Sequence, residues 1–179
     1  MLHIENTGLI LIDVQGKLAR IVNESEILIS NLQKLIRGCQ ILSLPIIWAE
    51  QNPKGLGDTV PEIRELLKNQ TPIEKYSFDA FENQEFKEAV LKTKRKQWIV
   101  CGIESHICVY QTIRGLLDND FEVEIAADCV SSRSKENSKM ALAKLQKCGA
   151  SLTSVEMCLY ELMKNSKNQK FKEILNLIK

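Results

Sequence analysis

Residues 8–13 read Gly8-Leu9-Ile10-Leu11-Ile12-Asp13, a run of small and apolar side chains that stops at an acid. A run that is apolar on both faces is typical of a strand buried inside a parallel sheet. The same signature returns at Ile46-Ile47-Trp48-Ala49, directly after Pro45, and at Gln97-Trp98-Ile99-Val100-Cys101-Gly102. We therefore predict a buried strand at each of these three places.

Amphipathic segments separate the predicted strands. Asn23, with Glu26 three residues later, predicts a capped helix start, and apolar residues then recur at helical spacing. Further helices are predicted after Pro61, over 82–93, 107–117 and 134–148, and twice near the C-terminal end, with shorter strands near 73–75, 121–126 and 151–155. This alternation predicts an α/β fold, a three-layer α-β-α sandwich with a mainly parallel, doubly wound central sheet. The length of 179 residues and the absence of a linker-like segment predict a single domain over residues 1–179.

The composition excludes several classes of protein. Lys and Arg number 24 and Asp and Glu 23, so a net charge of +1 gives no electrostatic reason to expect a nucleic-acid or membrane partner. No apolar run approaches the ~20 residues of a membrane span, and the N-terminus does not resemble a signal peptide. The six cysteines lack Cys-x-x-Cys spacing and mostly lie in apolar runs, which predicts reduced thiols and a cytoplasmic protein. With two histidines and no paired ligands, we predict neither a metal nor another cofactor.

Reactive side chains follow several of the predicted strands. Asp13 follows the first strand, Glu50 the second and Lys75 the short third, and residues 102–108 follow the fourth. In a parallel sheet, ligands bind beyond the carboxyl ends of the strands, where all these residues fall. Each residue alone is weak evidence, but their shared placement predicts a site for a small-molecule substrate.

Cys108 lies at the start of a predicted helix, directly after a strand-to-helix turn. A helix N-terminus favours the thiolate, which is the nucleophilic form of cysteine. Position alone leaves open the alternative of a buried thiol like Cys101. His106 is disfavoured as the base because residues two apart on a helix point to different faces. Asp13 is the best available proton acceptor, and Lys75 would stabilise a thiolate.

Three motifs together resemble the isochorismatase-like cysteine hydrolases, a superfamily that includes nicotinamidases and N-carbamoylsarcosine amidase. They are Leu11-Ile12-Asp13-Val14-Gln15, Glu74-Lys75-Tyr76-Ser77-Phe78-Asp79-Ala80-Phe81 and Gly102-Ile103-Glu104-Ser105-His106-Ile107-Cys108-Val109. The resemblance implies a catalytic triad of Asp13, Lys75 and Cys108. It also implies a non-proline cis peptide bond between Ile103 and Glu104, and an oxyanion hole formed by the N–H groups of Glu104 and Cys108. The loop that follows Glu50, residues 51–57, resembles the branch of isochorismatase-domain and YcaC-type proteins.

Two departures narrow the implied activity. Nicotinamidases carry an Asp-x-His metal-binding stretch where this sequence has Glu50-Gln51-Asn52, which argues against a metal and against nicotinamide. True isochorismatases often lack the cysteine, so Cys108 argues against isochorismate. The residues that we expect to line a substrate pocket are Gln15, Trp48, Phe78 and Ile103.

The resulting function hypothesis is a cysteine hydrolase that cleaves a C–N bond of a small amide-type substrate through a thioester. A non-catalytic or scaffolding use of the fold, and hydrolysis of a vinyl ether, are the alternatives. The sheet leaves exposed edges and the resembled family commonly assembles, so we also predict a homo-oligomer.

Overall fold

One six-stranded parallel sheet organises the computed structural model, which describes residues 1–179. The strands are β1 (Thr7–Ile12), β2 (Ile46–Gln51), β3 (Ile73–Lys75), β4 (Gln97–Ile103), β5 (Glu122–Ser131) and β6 (Ser151–Thr153). Their spatial order is β3-β2-β1-β4-β5-β6, and every neighbouring pair is parallel. This is the doubly wound arrangement.

Nine helices connect and cover the strands. They are α1 (Leu18–Ile21), α2 (Ser25–Ile41), α3 (Pro53–Leu56), α4 (Pro61–Arg64), α5 (Gln84–Lys92), α6 (Cys108–Leu117), α7 (Lys135–Lys147), α8 (Val155–Met163) and α9 (Phe171–Ile178). Two short 3₁₀ turns, Glu65–Leu67 and Ala80–Glu82, complete the chain.

Alternate residues of β1 show why the sheet is covered on both sides. Leu9 and Leu11 pack into a core with α2 and α8, whereas Ile10 and Ile12 pack into a second core with α5 and α6. All four side chains are fully buried. Because successive residues of a strand point to opposite faces, an unbroken apolar run requires helices on both. The predicted three-layer α-β-α sandwich is therefore confirmed.

The strand order reverses between β1 and β4. Helices leave these two strands on opposite faces of the sheet, so a crevice opens between their carboxyl ends. Gly102, near the end of β4, has a φ of 122°, and a Cβ there would collide with the carbonyl of Ile12. Glycine is the residue that allows the two strands to approach this closely where Asp13 and the turn before Cys108 begin.

Helix α2 begins differently from the prediction. Asn23 does not cap it: the helix starts at Ser25, and no side chain caps its N-terminus. The backbone N–H of Asn23 instead donates to the carbonyl of Ser132, and its carbonyl accepts a hydrogen bond from the Ser131 hydroxyl. The predicted cap is therefore wrong, because Asn23 is used to join the start of α2 to the end of β5.

Strand β5 is longer than the predicted segment 121–126. The pairing register of β4 and β5 shifts between Val100 and Gly102, and β5 then continues as far as Ser131, which lies beside Ile103. The predicted strand stops at Ala126, but the irregularity lets the ladder resume at Val130. The extension carries the end of β5 to the edge of the crevice.

The chain contains no helix that is both long and apolar enough to cross a membrane.

Candidate active site

Asp13, Lys75 and Cys108 come together at the carboxyl edge of the sheet. Asp13 follows β1, Lys75 ends β3 and Cys108 is the first residue of α6. The Lys75 Nζ lies 2.8 Å from the Asp13 Oδ2, and both side chains are buried. Because β2 separates β3 from β1, the long side chain of Lys75 has to cross the end of β2 to reach the carboxylate.

The Asp13 carboxyl is placed by a turn immediately after β1. Asp13 has a φ of 53°, a left-handed conformation that aspartate tolerates better than most residues. Its carboxyl interacts with the Cys108 thiol, and its second oxygen, Oδ1, is buried without a well-formed hydrogen bond in the resting protein. Asp13 therefore has one oxygen held by Lys75 and one that remains able to accept a proton.

Burial dominates the electrostatics of this group. Loss of hydration raises the pKa of the Asp13 carboxyl above 3.8, although Lys75 acts in the opposite direction. Burial and the nearby Asp13 carboxylate raise the pKa of the Cys108 thiol to about 12, again against Lys75. The expectation of a resting thiolate, based on the helix start and Lys75, is therefore wrong in direction. The resting cysteine is a thiol, which needs a base.

Gln51 is a member of the cluster that the sequence analysis missed. Its Oε1 accepts a 2.7 Å hydrogen bond from the Lys75 Nζ and lies 4.0 Å from the Cys108 Sγ. The Lys75 Nζ also donates to the Ser77 carbonyl at 3.3 Å. An ammonium group has three donors, so Asp13, Gln51 and Ser77 occupy all of them.

Strand alternation explains why Gln51, and not Glu50, belongs to this group. Glu50 is buried on the other face, where its carboxylate accepts the Thr59 N–H at 2.7 Å. Trp48, two residues earlier, donates to the Thr59 hydroxyl at 2.9 Å. Residues two apart in a strand share a face. Extending the predicted strand from Ala49 to Gln51 would therefore have placed Gln51 on the face opposite to Glu50 and predicted its role.

Gln15 holds the strand end that carries Gln51. Its side-chain amide accepts the Gln51 N–H at 2.7 Å and donates to the Gln51 carbonyl at 3.1 Å and to the Gly57 carbonyl at 2.7 Å. These bonds occupy a fully buried side chain. Gln15 therefore has a structural role: its hydrogen bonds connect the turn after β1 to the end of β2 and to the loop that follows it.

The other proposed pocket residues lie in three different environments. Trp48 borders a cavity of about 630 Å³ whose lining includes none of Asp13, Lys75 and Cys108. Ile103 is fully buried among apolar side chains. Phe78 has an exposed fraction of 53% and lies three residues after Lys75. Of these three side chains, Phe78 alone is exposed beside the segment that carries Lys75.

Several backbone N–H groups in the turn that leads to Cys108 are free. The Ile103–Glu104 peptide bond is cis, which is the form that the resemblance implies. Within this turn the N–H groups of Ser105 and Ile107 donate to backbone carbonyls, whereas those of Glu104, His106 and Cys108 make no hydrogen bond in the protein. The cluster thus combines a thiol, a carboxylate able to accept its proton and free backbone donors, which include the Glu104 and Cys108 N–H groups that the resemblance implies.

A metal ligand set does not form around this cluster. No group of three or more His, Cys, Asp or Glu side chains is arranged to hold a metal ion. Glu50 and Gln51 are instead bound to Thr59 and to Lys75 respectively.

The thiols can be told apart by chemical labelling. Cys148 is the only one of the six that is not buried, and its Sγ contacts the Arg114 guanidinium at 3.1 Å. We expect iodoacetamide to label Cys148 first at neutral pH, and Cys108 to react faster as the pH rises. Peptide mass spectrometry of timed samples measures both rates. Earlier labelling of Cys101, whose burial raises its pKa well above 9.0, would contradict this order.

The comparisons with known proteins agree with this architecture. A model of the isochorismatase domain matches residues 7–157. Isochorismatase domain-containing protein 2 of Danio rerio is 38% identical over 180 residues, which cover 99% of this chain and 89% of that protein. Isochorismatase family protein 1A of Dictyostelium discoideum is 34% identical over 96% of this chain and 86% of that protein.

Solved structures share the fold. The structure described as the MAR1 ribonuclease of Caenorhabditis elegans has a TM-score of 0.92 and 38% identity, covering 99% of this chain and 91% of that chain. YcaC from Pseudomonas aeruginosa, solved with hexane-2,5-diol and covalent acrylamide, has a TM-score of 0.91 and 24% identity, covering 98% and 90%. With a domain match over most of its length and relatives above 30% identity, this chain belongs to the isochorismatase family and has the fold of its hydrolases.

Proposed function

We propose that this protein is a cysteine hydrolase that cleaves a C–N bond of a small amide-type substrate through a thioester. The observation that carries the proposal is that the Asp13 carboxyl pairs with the Lys75 ammonium group and interacts with the Cys108 thiol, while the N–H groups of Cys108 and Glu104 are free. A nucleophile, its base and an oxyanion site are the three parts that acyl transfer requires.

Asp13 acts as the base in the first half of the reaction. As the Cys108 sulfur forms a bond to the substrate carbonyl carbon, the thiol proton passes to Asp13 and the carbonyl electrons move onto oxygen. The N–H groups of Glu104 and Cys108 stabilise this oxyanion. When the carbonyl re-forms, the C–N bond breaks, and Asp13 returns the proton to the departing nitrogen. An acyl thioester and a free amine or ammonia result.

Water completes the reaction. Asp13 removes a proton from a water molecule as its oxygen attacks the thioester carbon, and the same donors hold the second oxyanion. The C–S bond then breaks, the sulfur recovers the proton from Asp13, and the acid leaves. Lys75 transfers no proton in this scheme, because its three donors are bound to Asp13, Gln51 and Ser77. Its role is to keep the buried carboxylate oriented.

The pKa shifts predict the shape of the pH profile. Asp13 is a base only when it is ionised, so kcat/KM should rise with pH through the pKa of this carboxyl, which lies above 3.8. The curve should then level off, because the Cys108 pKa of about 12 lies above the usual assay range. Initial rates between pH 4 and 10, measured on one cleaved substrate, give the curve. A profile that rises only with the ionisation of a thiol near neutrality would contradict the mechanism.

A substrate panel tests the proposal itself. Small primary amides, ureides, carbamoyl compounds and nicotinamide are incubated with the wild-type protein and with Cys108→Ala, and released ammonia and acid are measured. Release by the wild type alone supports the proposal. Equal release by both proteins, or release from none of these compounds, overturns it. Hydrolysis of a vinyl ether in the same panel would identify that alternative, because that chemistry requires an acid and no thiol.

Hydrolysis of RNA is the second candidate, because the C. elegans structure is described as a ribonuclease and is 38% identical to this chain. The position of the basic residues favours an amide substrate over RNA. The basic run Lys92-Thr93-Lys94-Arg95-Lys96 precedes β4, whereas Cys108 follows the opposite end of that strand. A short single-stranded RNA therefore belongs in the panel. Cleavage of RNA that is retained in Cys108→Ala and lost in Asp13→Asn would favour the ribonuclease.

We propose further that the protein acts as a homo-oligomer in the cytoplasm. Tyr76 and Phe78, one and three residues after Lys75, have exposed fractions of 66% and 53%, so apolar surface lies close to the site. Light scattering should give a mass of at least twice the 20.4 kDa of one chain. A particle with the mass of one chain would contradict the assembly.

A further inference from the structure

The turn between β4 and α6 is attached to one other part of the chain by three consecutive side chains. We call residues 131–138, which run from the end of β5 into α7, the 131–138 segment. Glu104, Ser105 and His106 each form a side-chain hydrogen bond with a residue of this segment. Such a concentration of bonds on three successive residues fixes the path of the turn.

The contact of Glu104 is the only ion pair among the three. Its buried Oε1 accepts the backbone N–H of Arg133 at 2.9 Å and the Arg133 Nε at 3.1 Å. The Glu104 side chain is 4% exposed, whereas the Arg133 side chain is 58% exposed. These bonds lower the pKa of the Glu104 carboxyl despite its burial. Glu104 is therefore a buried anion that depends on Arg133.

The other two contacts extend the attachment toward the thiol. The Ser105 hydroxyl pairs with that of Ser138 at 2.7 Å, and the Ser105 N–H donates to the Ser131 carbonyl at 2.9 Å. The His106 Nδ1 lies 2.9 Å from the Ser132 hydroxyl. Every residue of the turn from Glu104 to His106 is consequently bonded to the 131–138 segment.

This attachment bears on the free N–H groups of Glu104 and Cys108, the two donors of the proposed oxyanion hole. The Cys108 N–H belongs to α6, and the helix sets its direction. The Glu104 N–H belongs to neither β4 nor α6, so its direction depends on what holds the turn. Two donors stabilise one oxyanion only if they converge on it before the reaction begins.

We propose that Arg133 is a positioning residue, which acts through the Glu104 carboxylate to aim the Glu104 N–H at the oxyanion. This inference rests on the proposed function, since it assumes that an oxyanion forms beside Cys108. A purely structural ion pair makes a different prediction. An exposed arginine contributes little to stability, so its removal would change nothing at the site.

Two reagents separate the oxyanion donors from the thiol. Propionaldehyde adds reversibly to a thiol: an S–C bond forms, the carbonyl π bond breaks, and the thiol proton ends on the former carbonyl oxygen. That oxygen occupies the oxyanion position. Iodoacetamide also forms an S–C bond, but its C–I bond breaks, iodide and the thiol proton leave, and no oxyanion develops. Protection of Cys108 from iodoacetamide by propionaldehyde gives the aldehyde affinity, and the unprotected rate gives the reactivity of the thiol.

We expect Arg133→Met and Glu104→Ala to weaken propionaldehyde binding about tenfold, while the rate of Cys108 alkylation changes less than about twofold. Glu104→Gln keeps an acceptor for the Arg133 N–H and should recover most of the affinity. Arg20→Met is the matched control, because Arg20 forms an exposed ion pair with Glu62 at 2.7 Å and touches no residue of the site. It should leave both values unchanged.

The outcomes distinguish this inference from the proposed function. If the wild type binds propionaldehyde and both variants bind it equally well, the positioning role is wrong and the hydrolase proposal stands. A parallel loss of aldehyde binding and alkylation in the variants also overturns the positioning role, because the thiol itself has moved. If the wild-type Cys108 is alkylated but never binds the aldehyde, no oxyanion site exists, and both proposals fail.

Discussion

Cys108→Ala should lower kcat/KM by about a thousandfold or more on every amide that the wild-type protein cleaves. Alanine removes the sulfur that forms the thioester, and the remaining oxyanion donors cannot supply a nucleophile. The side chain is small and 7% exposed, so the fold should persist. Initial rates of ammonia release, with unfolding curves of both proteins, give the comparison.

A matched control exists for this substitution in β4. Cys101 is fully buried and its Sγ lies 3.5 Å from the Ile10 carbonyl, away from the triad. Cys101→Ala should reduce stability by about 1 kcal/mol and leave kcat/KM near that of the wild type. Full activity of Cys108→Ala on an amide would remove the thioester from the mechanism.

Asp13→Asn should lower kcat/KM about a thousandfold while making the Cys108 thiol more reactive toward iodoacetamide. Asparagine has nearly the same volume but cannot take the proton from the thiol or return it to the leaving nitrogen. The wild-type carboxylate raises the pKa of Cys108, whereas Lys75 lowers it. Without the carboxylate, burial still raises the pKa of Cys108, but Lys75 is the one remaining charge of the triad and the thiolate fraction increases. Parallel assays of turnover and of timed alkylation test this opposite pair of effects.

The same substitution has a cost in stability. It leaves the buried Lys75 ammonium group without its carboxylate, and such a change destabilises a protein by about 3 kcal/mol. The double variant Asp13→Asn/Lys75→Met removes both charges and should recover part of this loss without recovering turnover. Full activity of the double variant would contradict the role of Asp13. Slower alkylation of Cys108 in Asp13→Asn would contradict the electrostatic interpretation.

The layers of the fold could be predicted because they follow from local chemistry. The unbroken apolar runs of β1 and β4 require cover on both faces, and the helical spacing between them supplies it. Element boundaries were less predictable. Asn23 has the chemistry of a helix cap but bonds to Ser131 and Ser132, and β5 continues past Asp128 because a register shift restores its pairing.

The order of the motifs along the sequence was enough to predict which side chains come together at the candidate site. Asp13, Lys75 and Cys108 each follow a predicted strand, and parallel strands end at a common edge, so their convergence required no coordinates. The inclusion of Gln51 did not follow from the same argument. It depends on which face of β2 each residue occupies, and a shift of one residue exchanges Gln51 with Glu50.

Tertiary structure alone decided the protonation state and the support of the site. From the sequence we predicted Cys108 at a helix start and Lys75 in the same site, and both of these features favour a thiolate. Burial together with the Asp13 carboxylate instead raises its pKa to about 12. Likewise, Arg133 lies 29 residues after Glu104, and no spacing rule connects them. Solvent exclusion and contacts across the fold depend on the packed arrangement of distant segments, so local patterns determined the elements while packing determined how their side chains act.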